Sequence, residues 1–180
     1  MKRIELSEAR AVVDQSVRAL GGPGRLPYKE YCRRRADSVI SSVDFILTRG
    51  NRFLLIVRRR SSLDGKRWFF GGTHLRGKTV EDALYETVQA ETKIRHHEIL
   101  SVTPSHWQDI AITDQKKRGE GPAHMLMHIY LVEIPRGIEP KSDGTWSDPK
   151  WYTERSLSRY GLLSDLKLAL VKAGLIRVER

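Results

Sequence analysis

GGTHLRGKTVEDALYETVQAETKI runs from Gly71 to Ile94. A glycine pair opens it and a turn follows, after which apolar residues recur at helical spacing: Val80, Ala83, Leu84 and Val88. Thr79 stands where an N-cap belongs, with Asp82 at the position of a capping-box acid. The helix so predicted spans Thr79 to Lys93 and carries acids at Glu81, Glu86 and Glu91. Glu91 shares or borders the apolar face. An unpaired acid there is costly, which favours a ligand role for Glu91 over a solvated one.

Working outward, Ser38 to Thr48 alternates loosely and is rich in Val, Ile and Phe, the mark of a strand. Arg49-Gly50-Asn51 turns the chain into a second strand, Phe53 to Arg59, so a hairpin is expected. Alternation places Arg58 and Arg60 together on one face of it. Trp68 to Phe70 is a short apolar run leading into the glycine pair. Beyond the helix, Ile99 to Gln108 and His124 to Glu133 read as strands, separated by a polar loop from Asp114 to Pro122. In the latter strand His124, Leu126 and His128 face one way, and Met125, Met127 and Ile129 the other. Leu157 to Lys172 reads as one or two closing helices, ended by Gly174. Ser7 to Leu20 reads as an amphipathic helix, with Gly21-Gly22-Pro23-Gly24 expected to break it. The expectation is an α+β domain with a mixed sheet over residues 38–180, preceded by an N-terminal helical extension and linker over residues 1–37.

Composition narrows the function classes. At 180 residues, 39 % hydrophobic and 30 % charged, the chain suits one soluble globular core. No apolar run reaches membrane-span length, the longest being Phe53 to Val57, and MKRIELSEAR lacks a signal-like apolar region. Cys32 is the lone cysteine, so an internal disulfide is excluded and a thiolate zinc cluster is disfavoured. A cytoplasmic protein is expected. Thirty-two Lys and Arg against 22 acids give a net charge of +10, which favours anionic partners such as nucleotides, sugar nucleotides or RNA. The basic groups at Arg33–Arg35, Arg58–Arg60, Lys66–Arg67 and Lys116–Arg118 are dispersed, and no RNA motif with interleaved aromatics is visible.

The glycine turn and helix resemble the box of the Nudix hydrolases, a loop–helix–loop whose glutamates hold magnesium against a diphosphate. Gly72 matches the box glycine, Val88 and Ile94 its apolar positions, and Glu91 its last glutamate. Lys78 replaces the first glutamate, Glu86 the arginine, Thr87 and Ala90 two other glutamates, and Lys93 the closing glycine. The pattern is most similar to the GDP-mannose mannosyl hydrolase branch, whose box keeps a single metal glutamate. Ala90-Glu91, the SVDF segment from Ser42 to Phe45, Arg58 after Leu54-Leu55, and Trp107-Gln108 match that branch in order. Trp151 matches a tryptophan that opens the final helical segment of many such proteins. The resemblance covers roughly Ser38 to Leu163 and implies a Nudix α/β/α sandwich.

It further implies an Mg²⁺-dependent hydrolase acting on a nucleoside diphosphate linked to another moiety, a nucleotide sugar among the options, and a homodimer. Gly72 and Glu91 would hold the metal, since magnesium takes few carboxylates and completes its shell with phosphate oxygens. Arg58 would neutralise the diphosphate, and Asp44 would contact the base or sugar. The branch's metal-binding glutamine and basic histidine fall on Thr145 and Trp146, and its other histidine on Asp109. Tryptophan cannot take a proton from water, so the base must come from elsewhere. Asp109 and a histidine of the His124–His128 strand, His128 foremost, are the candidates, with Asp143 and Asp148 as further oxygen sources. The alternative is a catalytically silent module that binds a nucleotide or RNA.

Overall fold

The computed structural model describes residues 38–59, 63, 65–75, 77–112, 123–157 and 162–177. The expected helix over Ser7–Leu20, the basic groups Arg33–Arg35 and Lys116–Arg118, Arg60, and the loop Asp114–Pro122 lie outside them.

The first strand, β1 (Val39–Arg49), turns at Gly50, which has a φ of 58°, into β2 (Arg52–Arg58). The positive φ is what the Arg49-Gly50-Asn51 turn needs and what glycine adopts without a steric cost. Two short strands follow, β3 (Arg67–Trp68) and β4 (Phe70–Thr73), and then helix α1 (Val80–Thr92). Thr79 caps α1 as expected: its hydroxyl accepts from the Asp82 amide at 3.1 Å and donates to the Asp82 carboxylate at 2.7 Å. Lys93, where the family's box has glycine, ends the helix in the left-handed conformation with a φ of 62°. The long strands β5 (Ser101–Ile112) and β6 (Ala123–Glu133) come next, then β7 (Trp146–Tyr152) and the helices α2 (Glu154–Leu157) and α3 (Ser164–Lys172).

These strands make one mixed sheet in the order β3-β2-β1-β6-β5, with β4 also paired to β1 and β7 to β2. Strand β1 runs parallel to β6 and antiparallel to β2, β4 alike. Its pairing with β2 is at the hairpin end, Thr48 with Phe53, while β4 takes the same edge lower down, from Ser42 to Phe45. The glycine pair is thereby laid directly along the central strand, Gly72 against Val43 and Gly71 against Asp44.

Alternation sorts the side chains into two cores. On one face Val43, Phe45, Leu54, Ile56 and Phe70 pack under Ala83, Leu84 and Val88 of α1. On the other, Ile46, Phe53, Leu55, Met127 and Ile129 pack against Leu166, Ala169 and Leu170 of α3. The sheet is thus sandwiched between helices, as the resemblance implied. The β6 alternation also holds, with Met127 and Ile129 buried in the second core.

One expectation is corrected. Trp151 does not open a helical segment: it sits inside β7, opposite Leu54. Trp146 begins the same strand opposite Arg58 and is only 4 % exposed. Among the described residues no helix is long and apolar enough to cross a membrane.

Candidate active site

The box-like turn and helix bring together Arg58, Gly71 and Glu91. Glu91 lies on the last turn of α1, 8 % exposed, and points back toward the glycine pair. Arg58, the last residue of β2, donates from one terminal nitrogen to both carboxylate oxygens of Glu91, at 2.9 and 3.1 Å. The Gly71 amide donates to the same carboxylate at 3.2 Å, and the other Arg58 nitrogen reaches the Gly71 carbonyl at 3.4 Å. Trp146 fixes the helix end from below, its indole N–H donating to the Glu91 carbonyl at 2.8 Å. The arrangement explains how an acid survives beside an apolar core: both Glu91 carboxylate oxygens accept hydrogen bonds.

Asp44 forms the second layer. It is 6 % exposed, accepts from the Ser42 hydroxyl, and lies so close to Gly71 that a Cβ there would stand 1.9 Å from its Oδ1. Burial pushes the Asp44 carboxyl up to about 7, and nearby Glu91 adds to this, while Ser42 and Arg58 oppose it. Burial also raises Glu91, against the pull of Arg58 and the Gly71 amide. Two desolvated carboxylates therefore face one guanidinium, and the cluster has an appetite for positive charge.

The remaining expected residues lie elsewhere on the sheet. Asp109 is on β5 and His128 on β6, and the register runs Trp107–His128–Val43–Gly72 across four strands. With strands about 4.8 Å apart, His128 is roughly 10 Å and Trp107 roughly 14 Å from the glycine turn. Asp109 contacts His124 at 3.4 Å. Burial and the neighbouring His74 hold His128 below its usual range, which favours the uncharged imidazole. Gly72 faces Thr87 of α1, and the glycine that touches Glu91 is its neighbour Gly71. Gly71, His74 and the indole of Trp146 were not singled out as contacts by the sequence reading. The doubled glycine was the available signal for the first of these.

Among the described residues there is no group of three His, Cys, Asp or Glu side chains that could hold a metal ion. The donors present are hard oxygens, which suit magnesium, but Arg58 already neutralises Glu91. A carboxylate has about four lone-pair sites, and Glu91 commits three of them to Arg58 and Gly71. The set fits a magnesium ion that arrives with phosphate oxygens of a ligand. It does not fit one held by the protein alone.

The NUDIX domain model matches residues 40–172. None of the curated proteins is a match for the chain. Solved structures share the fold at low identity. A MutT NUDIX hydrolase from Burkholderia pseudomallei is 21 % identical with a TM-score of 0.59, covering 75 % of this chain and 98 % of that one. The NUDIX domain of Shewanella oneidensis NrtR, complexed with ADP ribose, is 14 % identical with a TM-score of 0.60, over 83 % and 97 % of the two chains. A C. elegans Ap4A hydrolase is 12 % identical with a TM-score of 0.59, over 76 % and 96 %. None of these singles out the GDP-mannose mannosyl hydrolase branch. With its model matched from β1 into α3, the chain belongs to the NUDIX domain family.

Proposed function

We propose that this chain hydrolyses a nucleoside diphosphate linked to another moiety, with Mg²⁺ brought in alongside the diphosphate. A nucleotide sugar is the narrower form of this reading. The observation that carries it is the Arg58–Glu91–Gly71 cluster at the glycine turn. A guanidinium, the Gly71 amide and a hard carboxylate converge there, which is the chemistry that receives a diphosphate with its cation. ADP ribose and Ap4A, named with two of the fold neighbours, are phosphate-linked compounds of the same class.

Glu91 and a glycine-turn carbonyl would hold the ion, which when bound withdraws charge from phosphate oxygens. Arg58 would exchange Glu91 for phosphate, freeing carboxylate lone pairs as it moves. Proton removal from water would fall to Asp109, since Trp146 is buried and has no basic atom. The test is turnover of a panel of nucleoside diphosphate compounds with and without Mg²⁺, in isotopically labelled water. Expected is Mg²⁺-dependent hydrolysis with label in the phosphate product, lost in Glu91→Gln. Label in the sugar would refute attack at phosphorus.

One observation favours a second reading. Arg58 engages both oxygens of Glu91, so the cluster is stable as it stands and needs no metal. A binding module that does not turn over would show nucleotide affinity indifferent to Mg²⁺. Tight, salt-sensitive binding to RNA without turnover would assign the anionic partner to RNA instead.

A further inference from the structure

Trp107 is 68 % exposed, the most exposed large apolar side chain among the described residues. It is not an isolated surface ring. Its ring lies 5.1 Å from that of His128, the residue paired with it across β5 and β6. His128 in turn meets the edge of His74, ring centres 6.5 Å apart, at an interplanar angle of 77°. His74 follows β4 and is held by its own loop, its Nε2 lying 2.8 Å from the Lys78 carbonyl. Only Thr73 separates His74 from the glycine pair. Three rings therefore form a continuous shelf from the glycine turn to the far strand, on the sheet face that α1 covers only in part. The register gives the same line independently, Gly72–Val43–His128–Trp107.

We propose that this shelf is the subsite for the nucleobase of the ligand, with Trp107 as the stacking surface and His128 beside it. The inference rests on the reading that phosphates occupy the glycine turn. Three strand spacings, about 14 Å, separate the turn from Trp107, which suits a base joined through ribose to a diphosphate. An exposed indole gives stacking that tolerates different bases, because each has a π-face. His128, its ring tilted at 53° to the indole, borders the stacking surface on the side of the glycine turn.

The test is binding of ADP, GDP and inorganic pyrophosphate to the full chain, followed by tryptophan fluorescence and calorimetry. Trp68 and Trp146 are buried and Trp151 is half-buried on β7, so the part of the quenching that Trp107→Leu removes reports on Trp107. Expected is quenching by ADP and GDP but not by pyrophosphate. Trp107→Leu should weaken both nucleotides by about tenfold to a hundredfold and leave pyrophosphate unchanged. Trp107→Phe, which keeps a ring, should recover most of that loss. Nucleotide affinity unaltered in Trp107→Leu, or no tighter than that of pyrophosphate, overturns the shelf while the phosphate reading stands. Failure of the unmodified protein to bind any of the three sinks the phosphate reading and the shelf with it.

Discussion

The Arg58–Glu91 pair sets the local energetics of the turn. Both side chains are mostly shielded from water, so removing one leaves the other buried with its charge uncompensated. Arg58→Met and Glu91→Gln should each destabilise the fold by about 2–4 kcal/mol in denaturant unfolding, the double variant by clearly less than their sum. Additive losses would show that the two do not act as a pair. Asp44 supplies a pH signature. Its carboxyl is pushed from 3.8 up to about 7, so between those values the folded chain holds a proton that the unfolded chain has released. The stability due to this group therefore falls as pH rises through that window and stays low above it. Asp44→Asn cannot ionise, so its stability relative to the unmodified protein should climb with pH there. At its steepest the climb is about 1.4 kcal/mol per pH unit. A difference that stays flat over the window would remove Asp44 as the titrating group.

At the scale of elements, the β4 turn depends on Gly71 more than on Gly72. A methyl group on Gly71 would meet the Asp44 side chain at 1.9 and 2.5 Å and its Cα at 3.0 Å, whereas one on Gly72 meets only a Thr87 methyl at 3.4 Å. Gly71→Ala should therefore cost about 1–3 kcal/mol in unfolding experiments, and Gly72→Ala noticeably less. Equal costs would mean that Asp44 yields freely. The helix and hairpin were legible because their apolar periods are clear and their punctuation, Thr79 and Gly50, is physical. Strand β7 was not. Its middle, Ser147-Asp148-Pro149-Lys150, is polar and carries a proline and a positive φ at Asp148, all of which read as loop. Pairing with β2 on the sheet supplies what the local pattern lacks. Glu91 and Arg58 stand out in the sequence as candidates, but their direct contact does not, since strand end and helix end are 33 residues apart. The burial of Asp44 was hidden for a similar reason. Asp44 stands between Val43 and Phe45 on β1, and the pairing of β4 across it, far along the chain, closes it in.

In the molecule as a whole, the central ladder joins β1 to β6 in parallel, Val39 with His124 through Thr48 with Glu133, always 85 positions apart along the chain. The phosphate end of the proposed site uses residues 44 to 91 and the shelf uses residues 107 and 128, joined by His74. Each group is comparatively local in sequence, and loop closure for it is entropically modest. Their alignment is not local. It exists only once the long-range ladder has zipped, a slow kind of event for a folding chain because the entropy is lost before the contacts repay it. Folding order and recognition are thereby tied together. A chain caught with both halves formed and the ladder open would grip a phosphate yet be blind to the base attached to it, and selectivity for the whole ligand would be the last property the protein acquires.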